Sequence, residues 1–154
     1  MVPKLHTPPE VQLLVNTVMS WAEAMLKAEG RIPAAAAWLP RNTSQPEFHT
    51  LQPGEDLSLG DQERLLAAEL EGPWRRKELV AILLAAPVLY GRADSGERSE
   101  AVRLHVEAAP GFCVDILMPY RIRAASRRHG NSQNRVHFTH PVAQESDSFA
   151  PISD

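Results

Sequence analysis

The first element that the hydrophobic pattern predicts is a helix between Thr7 and Gly30. Its apolar residues recur at spacings of three and four, which places them on one helical face. Thr7 and Glu10 match a capping box, in which the threonine hydroxyl accepts a hydrogen bond from the glutamate amide. Gly30 favours the left-handed conformation that ends a helix. The apolar positions are Val11, Leu14, Val15, Val18, Ala22, Met25 and Leu26.

The next stretch, residues 33–52, is ambiguous. The four alanines at 34–37 favour a helix by propensity, but the prolines on either side enclose a segment of strand length. Residues 41–46 are typical of a turn, and 48–52 predict a second short strand. We therefore expect a β-hairpin here, with a helix at 33–39 as the alternative.

A second helix and a central strand follow. Ser58 predicts an N-cap, and Asp61 favours the positive end of the helix dipole. The Gly-Pro pair at 72–73 predicts the end of this helix. Residues 79–86 are apolar on both alternating sides, which is typical of a strand that is covered on both faces. Pro87 indicates a bulge or an unpaired position near its end.

Two later segments alternate strictly between apolar and polar residues, which predicts two antiparallel strands around a Pro-Gly turn. Residues that face each other across the pair must share a face, so the connecting loop must contain an odd number of residues. A five-residue loop places Arg103 opposite Asp115 and His105 opposite Cys113. The segments are 101–107 and 112–123.

The predicted order is helix, two strands, helix, three strands. It indicates an α+β fold in which two helices pack on a five-stranded antiparallel sheet. Residues 1–123 form one domain, and 124–154 form an extended C-terminal tail that packs on the domain or on a partner subunit. We expect 135–140 to add as a strand or to lie in a groove, with Phe138 and Phe149 as buried anchors.

Roadblock- and profilin-like domains share this order of elements. From Glu78 to Arg121 the sequence also resembles a recurrent group of small, uncharacterised bacterial α+β proteins. In that group a hydrophobic strand precedes an alternating strand like 101–107 and a strand that ends in a motif like Met-Pro-Tyr-Arg, here 118–121. The resemblance implies a fold and no particular activity.

Composition and charge narrow the classes of function. The 154 residues are 44% hydrophobic and 23% charged, as in a globular protein. A net charge of −3 argues against a general nucleic-acid binder. The single cysteine, Cys113, excludes an internal disulfide and suits a reducing compartment. No signal peptide or membrane span is evident, so we expect a cytoplasmic protein without membrane contact.

Two groups of residues are candidates for chemistry, although the sequence lacks recognised catalytic motifs. His105 opposite Cys113 suggests a thiolate–imidazole pair that Asp115 or Glu107 orients, and the alternative is a plain half-covered sheet face. Three histidines suggest a metal site, but their spacing fits no recognised ligand set. We therefore assign no catalytic residue, metal or cofactor. The three histidines are His129, His137 and His140.

Arginines supply the remaining candidates. One basic segment is 74–77, and a second begins at Arg121 and Arg123. If they converge, a phosphorylated or carboxylate ligand is expected, because guanidinium groups bind such anions bidentately. The candidate ligand residues are Arg121, Arg123, His105 and Tyr120, and the candidate interface residues are Phe138, Phe149 and Trp21.

The sequence therefore leaves two functional hypotheses. The first is a non-catalytic binding or assembly module, partnered by itself as a homodimer or by another protein. The alternative is a small enzyme or anion-binding protein that uses an Arg/His patch. Nucleic acid is the least expected partner, because the net charge is negative.

Overall fold

The structure is a computed structural model that describes residues 7–51, 57–91, 98–123 and 134–145. This part of the chain has the predicted α+β architecture: two helices and one antiparallel sheet, which has seven strands rather than five. The strands lie in the order β2-β1-β3-β4-β5-β6, and β7 also pairs with β5. The elements are α1 (Pro9–Glu29), β1 (Ala35–Pro40), β2 (Glu47–Thr50), α2 (Leu59–Arg75), β3 (Leu79–Gly91), β4 (Arg98–Ala108), β5 (Phe112–Arg123), β6 (Arg135–Phe138) and β7 (Val142–Glu145).

Helix α1 covers one face of the sheet with the predicted apolar residues. Its N-cap is Pro8 in an extended conformation, one residue later than the predicted Thr7. The cause is Pro9, because a residue that precedes proline is disfavoured in the helical region. Gly30 ends the helix at φ 75°, as predicted, and its amide donates to the carbonyl of Leu26 at 3.0 Å. The buried residues of α1 are Val11, Leu14, Val18, Ala22 and Leu26.

Residues 35–50 form the expected hairpin rather than the alternative helix. Strand β1 also pairs with β3, so it lies inside the sheet and is covered on both sides. Ala35 and Ala37 contribute to the core on the α1 side, and Ala34 and Ala36 contribute to the core on the α2 side. Their small side chains let both helices approach the sheet closely, which explains why a run with high helix propensity is a strand here.

Helix α2 starts as predicted and ends later than predicted. The Ser58 hydroxyl accepts a hydrogen bond from the amide of Asp61 at 3.1 Å. The helix then continues through Gly72 and Pro73 to Arg75, so the predicted end at 72–73 was wrong. The additional residues bury Trp74 against the α2-side core, and this apolar burial offsets the backbone hydrogen bond that Pro73 cannot donate.

Strand β3 is the buried central strand that the apolar run predicts. Its residues Ala81, Leu83 and Ala85 belong to the α1-side core, whereas Ile82 belongs to the α2-side core. Pro87 lies two residues beyond Ala85, the last β3 residue that is paired with β1. Its position is therefore unpaired on the β1 side, where no amide donor is needed.

The pairing of β4 with β5 confirms the predicted faces and corrects the register. The apolar residues of both strands face α1, as expected from the alternation. However, His105 lies opposite Asp115, and Cys113 lies opposite Glu107. Arg103 lies opposite Leu117, so both predicted pairs, Arg103 with Asp115 and His105 with Cys113, were wrong. The loop contains three residues, 109–111, instead of five, and a shift of two residues leaves every side chain on its predicted face.

The two additional strands come from the predicted C-terminal tail. Strand β6 pairs with the end of β5, as expected for residues 135–140, and β7 pairs with the middle of β5. Asn134 fixes the start of β6 to the end of α1. Its side-chain amide donates to the carbonyl of Leu26 at 3.1 Å, and its backbone amide donates to the carbonyl of Lys27 at 2.9 Å. Phe138 is half-buried against the core, while Phe149 lies outside the described residues.

The two faces of the sheet are covered unequally. On one face α1 packs on β1, β3, β4 and β6, whereas on the other face α2 packs mainly on β1 and β3 and reaches β4 through the ion pair of Glu63 with Arg103. The odd-numbered polar side chains of β4 and β5 therefore lie beside α2 rather than beneath it. No helix in the described ranges has both the length and the apolar character that a membrane span requires.

Candidate functional site

Four titratable side chains meet on the part of the sheet that lies beside α2. Strand β4 supplies His105 and Glu107, and β5 supplies Asp115 and Cys113. The alternation of each strand places all four on the same face, and the register brings them side by side. We call these four residues the titratable cluster.

The imidazole of His105 lies between two carboxylates. Its Nδ1 atom is 2.8 Å from Oδ1 of Asp115, and its Nε2 atom is 2.7 Å from Oε2 of Glu107. Ionised carboxylates only accept hydrogen bonds, so an imidazole that carries both protons satisfies both contacts. Both carboxylates that the sequence suggested as partners of this imidazole contact it, while the thiolate–imidazole pair itself stays a prediction.

The arrangement is unusual because one of the two carboxylates is buried. The side chain of Glu107 is only 3% exposed, compared with 12% for His105 and 25% for Asp115. A buried carboxylate is stable only when it is paired and hydrogen-bonded. Burial lowers the pKa of His105, but the hydrogen bonds and negative charges of Glu107 and Asp115 together raise it by more, so the net pKa is raised. The cluster therefore favours the charged imidazole beside the buried carboxylate.

Cys113 completes the cluster. It is half-buried and forms no disulfide. One ligand atom each of His105, Glu107 and Cys113 lies within 4.8 Å of the others. The structure thus brings together the histidine and the cysteine of the predicted thiolate–imidazole pair. It places Glu107, rather than His105, directly opposite Cys113.

A cleft of about 520 Å³ opens beside the cluster, where the end of α2 approaches the β4–β5 turn. Glu107 and Cys113 form part of its wall. Arg41, Lys77 and Trp74 line it as well. The indole Nε1 of Trp74 is buried and has no acceptor among the described residues. The cleft therefore joins the cluster to the cationic side chains of Arg41 and Lys77.

A second group of polar side chains lies at the other end of β5. Arg121 pairs with His137 of β6, and Arg123 pairs with Arg135. Because paired residues share a face, these four side chains form one exposed group. They line a shallow depression of about 500 Å³. We call these four residues the arginine patch.

The arginine patch lacks the carboxylates that accompany other arginines of the protein. Among the residues that the structure describes, none of its three arginines has an ion-pair partner. The sequence from Arg121 to His140 contains five arginines, three histidines and no aspartate or glutamate. By contrast, four arginines elsewhere in the described chain each contact a carboxylate: Arg64, Arg75, Arg76 and Arg103.

The structure does not bring the predicted ligand residues into one site. His105 and Arg121 share a face but lie about six residues apart along the paired strands, or about 20 Å. Tyr120 lies on the opposite face, where it is 6% exposed and packs edge-on against Phe138 at 6.0 Å between ring centroids. The basic segment 74–77 lies at the other end of the sheet from Arg121 and Arg123, so these described residues do not converge; Arg127 and Arg128 lie outside the described residues.

Two of the three candidate interface residues, Trp21 and Phe138, pack against aromatic rings of their own chain. The ring of Trp21 lies 5.0 Å from that of Phe48, and both side chains pack against the α1-side core. Phe138 contacts Tyr120, as described above. Phe149, the third candidate, lies outside the residues that the structure describes.

Sequence reasoning missed Arg135 as a member of the patch and Glu107 as the buried member of the cluster. The absence of acidic residues between Arg121 and His140 was a usable signal for the patch. No comparable signal marked Glu107, because its burial depends on the side chains that the fold brings around it, among them those of Asp115 and Cys113 on β5.

Comparisons with known proteins find no relative: no family model, curated protein or solved structure matches the chain. The resemblance of residues 78–121 to small bacterial proteins therefore stays a prediction.

Proposed function

We propose that the protein is a non-catalytic binding module whose arginine patch binds an anionic small molecule with phosphate or carboxylate groups. The observation that carries this proposal is the side-by-side placement of Arg121, Arg123, Arg135 and His137 without neighbouring carboxylates among the described residues. Such a group leaves its positive charge available to a ligand.

The chemistry of the side chains favours this class of ligand. A guanidinium group is planar and donates two parallel hydrogen bonds to a phosphate or carboxylate. Arg123 and Arg135 are directly opposed across the strand pair, so one anion can neutralise both. In the absence of an anion, these like charges repel each other. Binding therefore relieves an unfavourable interaction as well as making new hydrogen bonds.

The backbone beneath the patch is already ordered for binding. Asn134 fixes the start of β6 to α1, and the amide of Thr139 donates to the carbonyl of Pro119 at 2.9 Å after β6 ends. Between them, Phe138 packs on Tyr120. Because these contacts hold the strand pair in place, a ligand orders only side chains, which reduces the entropy cost of binding.

The test is calorimetric titration of the full chain with inorganic pyrophosphate at low salt. The double variant Arg121→Gln/Arg135→Gln should weaken binding at least tenfold. The matched control is Arg64→Gln, which removes an exposed arginine that already contacts Asp61 on α2. This control should bind pyrophosphate as the unmodified protein does.

Equal weakening in the patch variant and in the control would show that net charge, rather than the patch, attracts the anion. No binding to the unmodified protein would also contradict the proposal. A short single-stranded oligonucleotide provides the competing outcome. If it binds far more tightly than pyrophosphate, with an affinity that falls steeply with salt, nucleic acid replaces the small anion as the ligand.

The partner and location expected from the sequence remain proposals beside this one. A homodimer would form if β6 and β7 of one copy paired with β5 of another, which uses the same contacts as the single chain. Light scattering should then report a dimer for the full chain and a monomer after truncation at Ala125. A monomer in both cases contradicts the exchange. The single cysteine fits the proposed cytoplasmic location.

A further inference from the structure

The titratable cluster contains a ligand set that the arginine patch does not use. His105, Glu107 and Cys113 offer a nitrogen, an oxygen and a sulfur atom, all within 4.8 Å of one another. The three residues come from adjacent strands, so the sheet itself fixes their positions. We propose that these three side chains bind one divalent metal ion, with Zn²⁺ as the best fit.

The donor atoms select the metal. Imidazole nitrogen, carboxylate oxygen and thiolate sulfur are all common ligands of Zn²⁺ in proteins, whereas Mg²⁺ and Ca²⁺ take oxygen ligands. Thiolate favours the softer metals. The mixed set in this cluster therefore discriminates against the hard cations.

Metal binding requires the three donor atoms to rearrange by up to about 1 Å from the 4.8 Å within which they now lie. Metal–nitrogen and metal–oxygen bonds of about 2.1 Å at a tetrahedral angle separate the two donor atoms by about 3.4 Å. Nε2 of His105 and Oε2 of Glu107 are now 2.7 Å apart. A small side-chain rotation opens this distance, and the metal then takes the place of the Nε2 proton.

Asp115 supplies the outer contact that metal-binding histidines usually have. Its carboxylate accepts the Nδ1 proton of His105 at 2.8 Å, which orients the ring so that Nε2 points toward Glu107. A carboxylate on the far nitrogen also makes the metal-binding nitrogen more basic. We therefore assign Asp115 as a positioning residue rather than a ligand.

The charges balance when the metal binds. The proton on Nε2 and the thiol proton of Cys113 are released, and the dication faces one carboxylate and one thiolate. The metal ion and its three ligands then carry no net charge. The metal ion thus replaces the imidazolium as the counter-charge of the buried Glu107.

The fourth coordination position faces the cleft. Glu107 and Cys113 both line the cleft, together with Arg41 and Lys77. Three protein ligands and one open position are typical of zinc sites that bind an exchangeable water or ligand. This inference does not depend on the arginine patch, since the two sites share no residue.

The experiment titrates the full chain with Co²⁺ after treatment with EDTA and removal of the chelator. Co²⁺ replaces Zn²⁺ in such sites and reports a bound thiolate by a sulfur-to-cobalt charge-transfer absorption. We expect this absorption to reach a plateau at one Co²⁺ per chain and to disappear when one equivalent of Zn²⁺ is added.

Three variants locate the metal. Cys113→Ser, which barely changes the size of the side chain, should abolish the charge-transfer absorption. Asp115→Asn should retain the absorption and weaken Co²⁺ binding by about 10–100-fold, as expected for an outer contact. His137→Ala, a histidine of the arginine patch, is the matched control and should bind Co²⁺ unchanged.

The absence of the absorption in the unmodified protein overturns the proposal. An absorption that survives in Cys113→Ser, or one that His137→Ala abolishes, also overturns it. Circular dichroism of each variant shows that the fold is intact. If Cys113→Ser fails to fold, the comparison of Asp115→Asn with His137→Ala decides the outcome.

Discussion

The titratable cluster and the arginine patch lie on the same face of β5, and their charges are compensated in different ways. In the cluster, His105 lies between two carboxylates of its own chain. In the patch, Arg123 faces Arg135, and no carboxylate lies nearby among the described residues. The two sites differ because the cluster is largely buried, whereas the patch is exposed. A charge that is removed from water requires a partner within the protein, whereas an exposed charge remains solvated and available to a ligand.

The largest effect expected from this comparison is the loss of the central cation of the cluster. His105→Ala leaves the buried Glu107 without its imidazole partner, so the free energy of unfolding should fall by about 3–5 kcal/mol. Urea denaturation at neutral pH in the presence of EDTA measures this change in the metal-free protein.

A double variant sharpens the result. His105→Leu/Glu107→Met removes both charges and keeps a similar volume, so it should recover most of the lost stability. If the double variant is as unstable as His105→Ala, packing rather than charge holds the cluster together.

The second effect concerns the support of the patch. Phe138→Ala removes the half-buried ring that packs on Tyr120. It should lower the free energy of unfolding by about 2 kcal/mol, less than the roughly 3–5 kcal/mol of a fully buried phenylalanine. Val142→Ala on β7 is the control, because that side chain is 55% exposed. A similar loss in both variants would show that Phe138 does not anchor the tail.

Exposed arginines should contribute little to the free energy of unfolding, whether or not they form an ion pair. Arg103→Gln removes a hydrogen-bonded pair with Glu63, whose two atoms lie 3.0 Å apart, and should cost at most about 1 kcal/mol. Arg121→Gln removes no ion pair among the described residues and should change the free energy of unfolding by less than about 0.5 kcal/mol. A clear loss of stability in Arg121→Gln would mean that the patch has a structural role.

The smallest expected effect is the pH dependence of the stability that Tyr120 contributes beneath the patch. Burial raises the pKa of Tyr120, and the nearby carboxylate of Glu100 raises it further. A group whose pKa is higher in the folded state stabilises the fold below its unfolded pKa of about 10. This stabilisation is lost as the pH rises through the folded pKa. Thermal denaturation between pH 9 and 11 should therefore show a weaker loss in Tyr120→Phe, and identical profiles contradict this assignment.

Local patterns in the sequence were sufficient for most of the fold. The spacing of apolar residues in α1 and the left-handed Gly30 define a helix without reference to the rest of the chain. The alternation in β4 and β5 likewise identifies the buried face. These signals act over a few residues, so the sequence displays them directly.

The arrangement of the cluster depends on the register of β4 against β5, which no local pattern specifies. Alternation repeats every two residues, so it cannot distinguish registers that differ by two. His105 was therefore expected opposite Cys113, while the structure places Asp115 there. All four members of the cluster were candidates, but the pairing of Asp115 with His105 and of Cys113 with Glu107 depends on the length of the turn. The patch, similarly, depends on the return of the chain to β5.

Asn134 has a consequence for the order in which the protein folds. Its side-chain amide binds the carbonyl of Leu26 across 108 residues of sequence. During synthesis, the last turn of α1 leaves the ribosome long before Asn134, which binds its carbonyls. Closing so large a loop is slow, because its entropy must be lost before the contact forms. The contacts between Asn134 and the end of the first helix therefore form only after residue 134 has been synthesised.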